Sequence, residues 1–227
     1  MSDTNRTIKI SPSMMCADFL NLAEDIKIIE ESGFDYLHID IMDGHYVPNL
    51  TLGPSYCEKI KPVTNLPLDI HLMVEDVDHF IPMFTPFSGS TITFHPEGCR
   101  HPLRSIETIR SAGCRPGIAV DPAQPLEVLR HMLPVIDFIL LMTVNPGYSG
   151  GKLVPGAIEK ISEFARYRDG KGINLEIEID GNVSWDNIPK MIDAGADTLV
   201  VGTSSLFGVK ENRQQDADRL LKLIGRR

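Results

Sequence analysis

The segment Tyr36-Leu-His-Ile-Asp-Ile-Met-Asp-Gly-His-Tyr-Val-Pro-Asn-Leu50 decides how this chain reads. An apolar, β-branched strand pattern breaks into a Gly/Pro loop while carrying His38, Asp40 and Met42 on one parity. Alternate side chains of a strand share a face, so an imidazole and a carboxylate two residues apart can grip one ion. The same grammar returns in Leu68-Asp-Ile-His-Leu-Met73 and in Glu176-Ile-Glu-Ile-Asp-Gly181, where polar residues again close an apolar run. These strand ends offer His38, Asp40, His71 and Asp180 as one candidate reaction centre.

Working outward, short apolar runs followed by amphipathic stretches recur at intervals of roughly 20 to 30 residues. Strands are predicted at 8–11, 36–41, 68–73, 91–95, 115–120, 138–143, 175–180 and 198–201. Helical patterns fall between them at 19–31, 54–61, 77–84, 102–112, 126–131, 157–168, 185–194 and 214–223. Asp18 and Ser184 are N-cap candidates, and Gly33, Gly113 and Gly195 stand where helices should end. Eight strand-helix alternations in 227 residues specify an α/β protein, a single (β/α)8 TIM barrel over residues 1–227. An open doubly wound sheet is the competing architecture. The barrel is preferred because polar residues end many strands and no GxGxxG opens the first helix.

Composition narrows the function. With 42% hydrophobic and 23% charged residues the chain has an ordinary globular balance and can bury one core. A formal charge of −9 speaks against nucleic acid and anionic membranes as partners, although a local pocket can still hold an anion. Residues 1–7 lack an apolar stretch behind a basic flank, and no window approaches the roughly 18 to 20 apolar residues of a spanning helix, so a cytoplasmic location is expected. Cys16, Cys57, Cys99 and Cys114 lie far apart without a CxxC pair and read as reduced thiols.

Two imidazoles and two carboxylates are borderline donors that suit zinc, with iron(II), cobalt and manganese also compatible. A strand histidine or aspartate is commonly plain packing, a salt bridge or a cap; here both histidines repeat one position at a strand end. Glycine-rich segments at 145–152 and 201–205 follow the sixth and eighth strands, where backbone N–H groups and a short helix after Gly202 could hold a phosphate. Met42, Met73 and Met142 would line the same mouth with side chains that exchange no protons.

The segments 10–18, 38–49, 69–74, 141–147 and 178–181 resemble the ribulose-phosphate 3-epimerase family from end to end. The resemblance implies a ribulose-phosphate-binding TIM barrel that inverts C3 of a ketose phosphate with one divalent metal, commonly zinc. It implies His38, Asp40, His71 and Asp180 as metal ligands, with Asp40 and Asp180 also exchanging the proton, Asp40 as acceptor and Asp180 as donor in the usual description. It further implies Ser13, His71, Met42, Met73 and Met142 around the substrate, and Gly147, Gly150, Gly151, Gly181, Asn182, Gly202, Thr203 and Ser204 toward its phosphate. The partners expected are a small sugar phosphate and further copies of the chain.

Departures from the family pattern fall at Cys16, Asn182, Thr203 and Ser204, and these look more like the D-allulose-6-phosphate 3-epimerase branch. D-Allulose 6-phosphate, converted to D-fructose 6-phosphate, is therefore the expected substrate, with D-ribulose 5-phosphate to D-xylulose 5-phosphate as the alternative. A decarboxylase on this barrel would set a lysine beside the strand-end carboxylates, and 36–49, 68–73 and 175–182 contain none. A non-catalytic sugar-phosphate sensor would not need both aspartates and both histidines.

Overall fold

The computed structural model describes residues 7–227, so the reading of the extreme N-terminus at residues 1–6 lies outside the described residues. Eight strands form one parallel sheet: β1 (Lys9–Pro12), β2 (Leu37–Met42), β3 (Leu68–Met73), β4 (Thr91–Phe94), β5 (Arg115–Val120), β6 (Phe138–Met142), β7 (Glu176–Asp180) and β8 (Thr198–Val201). Their spatial order follows the chain around a ring, with β1 beside β8. The remaining seam, between β1 and β2, is closed by the Asp35 N–H donating to the Ile10 carbonyl at 3.0 Å and by a parallel bridge between Ser13 and His38. The chain is a (β/α)8 barrel.

The helices are α1 (Leu22–Glu31), α2 (Pro54–Ile60), α3 (Val77–Phe84), α4 (Pro102–Ser111), α5 (Ala157–Lys171), α6 (Ile188–Ala194) and α7 (Arg213–Leu223). Gly33, Gly113 and Gly195 do end helices, at φ of 74°, 78° and 111°. The helix expected at 126–131 is instead two 3₁₀ segments, Leu126–Leu129 and Leu133–Val135. Pro125 precedes the first segment and Pro134 stands in the second, where its missing N–H keeps the two from joining into one helix. Two expected caps also shift. Asn21, not Asp18, precedes α1, and Asn187, not Ser184, precedes α6. Asp18 accepts from the Leu20 N–H and the Asn21 amide instead, closing a turn ahead of the helix.

Strand alternation sorts the side chains into two worlds. One parity, including Ile39, Ile41, Ile70, Leu72, Ile92 and Phe94, packs outward under the helices in the main core. The other points into the barrel, where a small apolar group of Ala119, Leu140, Met142, Val144 and Val200 covers only one side. Met42, Val47 and Met73 form a second apolar group near the mouth, and the charges between these groups sit in a low-dielectric interior where an unpaired group is costly.

Candidate active site

The strand register does the first work of assembly. Asp40 lies opposite His71 across the β2/β3 ladder, and Asp180 lies opposite Met142 across β6/β7. With His38 on the same parity as Asp40, four side chains from three strands meet inside the mouth, and one donor atom from each falls within 4.8 Å of all the others. His38 Nε2 stands 3.3 Å from Asp40 Oδ1, while His71 Nδ1 is 3.6 Å from Asp40 Oδ1 and 3.8 Å from Asp180 Oδ2. Both imidazoles are fully buried, yet His38 Nε2 and His71 Nδ1 have no hydrogen-bond partner. Buried polar atoms without partners cost on the order of 1–3 kcal/mol each. Convergent, unpartnered nitrogen donors beside two carboxylates have the chemistry of a divalent-cation site.

What surrounds these four fixes how they point. Asp69, sealed beneath them, takes the His38 Nδ1–H at 2.7 Å and also accepts from Ser11 and Thr91 at 2.8 and 2.6 Å. With its Nδ1 carrying the proton, His38 presents the Nε2 lone pair to the cluster. Ser13 Oγ donates to Asp40 Oδ2 at 2.8 Å, and the Thr51 hydroxyl donates to the Asp40 carbonyl at 2.6 Å. Glu178, deep in the barrel, shares a hydrogen bond with Asp69, and burial together with the charge of Asp69 holds its carboxyl well above the usual range.

The two carboxylates are driven apart. Burial alone would raise Asp40, but the adjacent His38 and His71 outweigh it and hold the group well below the ordinary carboxylate range. Asp180 is pushed the other way, upward, first by burial and then by the negative charge of Asp40.

Above the cluster opens a cleft. Ser13, Asp40, Asp180, Met42, Met73 and Met142 line its inner end, and Gly147, Gly150, Gly151, Gly181, Asn182, Gly202, Thr203 and Ser204 line its outer end. His38 and His71 lie underneath. Every residue singled out from the sequence therefore lies at this one mouth. At two of the glycines a side chain is excluded: a Cβ at Gly147, where φ is 109°, would fall 2.8 Å from Val47, and at Gly181, where φ is 111°, 2.6 Å from Val144. Asn182 is, among the described residues, the single non-glycine with positive φ, at 46°. Its amide donates to the Gly151 carbonyl at 2.6 Å and its Oδ1 accepts from Asn187 at 2.9 Å, so it ties the loop after β7 to the glycine-rich loop after β6. The short helix expected after Gly202 is a turn, in which the Ser205 and Phe207 N–H groups donate to the Gly202 carbonyl. Leu206 and Phe207 are drawn into the core, and Arg213 donates to the Leu206 carbonyl, which fixes the turn.

Sequence reasoning missed several neighbours. Met15, Val144, Val183 and Val200 complete the apolar lining, and Tyr148 lies at its edge. Cys16, one of the departures from the family pattern, also faces the site: its Sγ is 3.9 Å from Ser13 Oγ, and burial with the charge of Asp40 pushes the thiol up to about 11, leaving a neutral wall. Asp69 and Glu178 sit two residues below recognised positions on the same parity, which is the signal that could have found them. The four cysteines are free, and no described helix is long and apolar enough to cross a membrane.

Residues 9–207 match the family model described as ribulose-phosphate 3 epimerase family. Ribulose-phosphate 3-epimerase 1 of Cupriavidus necator is 46% identical over 212 residues, covering 92% of this chain and 88% of that protein. The Bacillus subtilis ribulose-phosphate 3-epimerase is 43% identical, covering 91% and 95%, and that of Escherichia coli K12 is 41% identical, covering 86% and 87%. Among solved structures, a tryptophan synthase α-subunit from Pyrococcus furiosus superposes with a TM-score of 0.63 at 14% identity over 97% of this chain and 96% of that one, a likeness of fold alone.

Proposed function

The chain belongs to the ribulose-phosphate 3 epimerase family and is an isomerase acting on carbohydrate phosphates, and we propose that it interconverts D-ribulose 5-phosphate and D-xylulose 5-phosphate. The observation that carries the chemistry is the placement of two carboxylates, Asp40 and Asp180, at one mouth beside two unpartnered imidazole nitrogens. The names of the relatives favour the five-carbon substrate over the six-carbon D-allulose 6-phosphate expected from Cys16, Asn182, Thr203 and Ser204.

In this reading the ionised Asp40 carboxylate, steadied by Ser13, takes the proton as the C3–H bond breaks. Asp180 delivers its own proton to the opposite face of C3, and the roles exchange in the reverse direction. His38 Nε2, Asp40, His71 Nδ1 and Asp180 would hold one divalent cation, zinc by preference, which when bound acts as a Lewis acid toward the charge developing on the substrate oxygens. Met42, Met73 and Met142 keep water and stray protons from the reacting carbon. Backbone N–H groups near Gly147–Gly151 and Gly202–Ser204 receive the phosphate.

The deciding measurement is kcat/KM for both sugar phosphates under one metal loading and pH, run in deuterated water. Higher kcat/KM on D-ribulose 5-phosphate with deuterium at C3 of the product is expected. A reversed preference would overturn the substrate, and inversion without deuterium at C3 would overturn the proton-transfer mechanism.

A further inference from the structure

The two histidines of the cluster are oriented by different means. His38 leans on a carboxylate directly, through Asp69. His71 has no carboxylate behind it: its Nε2 meets His95 Nε2 at 2.9 Å, and its ring centroid lies 5.1 Å from that of His95. His95 is fully buried just beyond the end of β4, and its Nδ1 faces Asp121 Oδ1 at 3.0 Å just beyond the end of β5. Asp121 in turn receives the Tyr46 hydroxyl at 3.3 Å, which also reaches Glu97 at 3.2 Å, and the Tyr46 ring lies over His95 with centroids 4.8 Å apart.

Proton counting gives this chain of contacts a direction. For His71 Nδ1 to offer a lone pair, its proton must sit on Nε2. Two ring nitrogens 2.9 Å apart accommodate one hydrogen between them, so His95 Nε2 must accept and His95 must carry its proton on Nδ1. That nitrogen lies 3.0 Å from Asp121 Oδ1, short of hydrogen-bond alignment but with no other partner for either atom among the described residues, which leaves Asp121 as the acceptor within reach. We propose that His95 and Asp121 are positioning residues that fix the tautomer and ring direction of His71, doing through a relayed imidazole what Asp69 does for His38 in one step.

The same count bears on a second possibility. His95, Glu97 and Asp121 present donor atoms within 4.8 Å of one another and resemble a second cation site. A cation on His95 Nδ1 would displace the proton that the relay needs, and with Nε2 facing His71 the ring would have to become an anion. One ion per chain is the expected load.

The inference rests on the reading of His71 as a metal ligand, and the test separates the two. Zinc affinity and release rate are measured for the purified chain and for His95→Leu, His95→Gln, Asp121→Asn and Ser90→Ala. Ser90 is the control, buried with an unpartnered hydroxyl just before β4, at the opposite end of that strand from His95. His95→Leu removes the acceptor and should weaken zinc binding by about 10- to 100-fold, the usual effect of losing a partner behind a ligating histidine. His95→Gln, which retains an acceptor oxygen and an amide donor, should recover most of that loss. Asp121→Asn should weaken binding less, and Ser90→Ala not at all. In ¹⁵N spectra of the zinc-loaded protein His95 should carry its proton on Nδ1. Unchanged affinity in His95→Leu, an equal loss in Ser90→Ala, a His95 proton on Nε2, or two zinc ions per chain would each overturn the relay. A chain that binds no zinc before any substitution would instead overturn the reading of His71 on which it rests.

Discussion

The barrel has charged clusters at both ends, and they are built on opposite principles. At the N-terminal end of the strands, Glu176 accepts from Lys9 at 2.8 Å, from Arg115 at 3.3 Å and from the Thr198 hydroxyl, while Arg115 also donates to Tyr36 at 3.0 Å. Each of these charges faces a partner of opposite sign or a hydroxyl. At the C-terminal end, two buried imidazole nitrogens face carboxylates without hydrogen bonding to them. Saturated polarity closes the floor, and polarity left unsaturated at the mouth marks where something else must bind. Burial alone separates nothing here; the accounting of partners does.

Substitutions should divide along the same line. The largest effect is expected from Asp40→Asn and Asp180→Asn, each lowering kcat by at least roughly 100-fold, with metal content measured on the same samples to separate proton transfer from ion loss. Near-normal turnover in either variant would remove that residue from the chemistry. Next comes Asp69→Leu, which takes away the acceptor for His38 and should weaken metal binding by about 10- to 100-fold, read by competition with a chelator.

Floor variants should behave in reverse. Glu176→Gln should cost about 1–3 kcal/mol in urea unfolding, because Lys9 and Arg115 are left with a weaker acceptor, while kcat per bound metal stays within about twofold. Its pH signature follows from the sign. Burial would raise Glu176, but the hydrogen bonds from Lys9 and Thr198 and the charges of Lys9 and Arg115 pull it below the ordinary value of 4.5. Its contribution is therefore complete above that value and is lost as pH falls through the folded-state value, so Glu176→Gln should flatten this acid limb. If the variant loses turnover and keeps its stability, the contrast between the two ends is wrong. The smallest effect belongs to Asn182→Gly, which relieves a positive φ but opens the tie between the loops after β7 and β6; KM should rise about fivefold, the value of one net hydrogen bond of about 1 kcal/mol, with kcat nearly unchanged.

The sequence made most of this legible, for a physical reason. Strand parity is rigid, so His38 with Asp40 and His71 with Asp180 could be placed inside a closed barrel without coordinates. The partners behind them were not visible in the same way. Asp69, Glu178 and Asp121 look like ordinary acids, and only the ring closure shows that Asp69 sits under His38 or that Asp121 lies beyond His95. Helix edges were read less well where side chains chose between competing acceptors, as Asp18 did in closing a turn rather than capping α1. The stretch 126–131 has helical periodicity, but it forms only a 3₁₀ turn that ends ahead of Pro134. Loop chemistry was hardest: nothing in the composition of Asn182 announces that its amide will be consumed by a neighbouring backbone.

The seam between β1 and β2 has a consequence for how the protein forms. Ser13, which steadies Asp40, and the bridge to His38 belong to the contacts that close the ring, and the four donors lie on strands separated by more than half the chain. An open, partly folded sheet has the residues but not the constellation, so an ion that recognises all four selects the finished barrel. Ligation would then favour the closed ring over any open sheet. A metal at a hundred times its dissociation constant adds about 2.7 kcal/mol to the closed state, and the unfolding midpoint becomes a measure of how much ion the solution supplies.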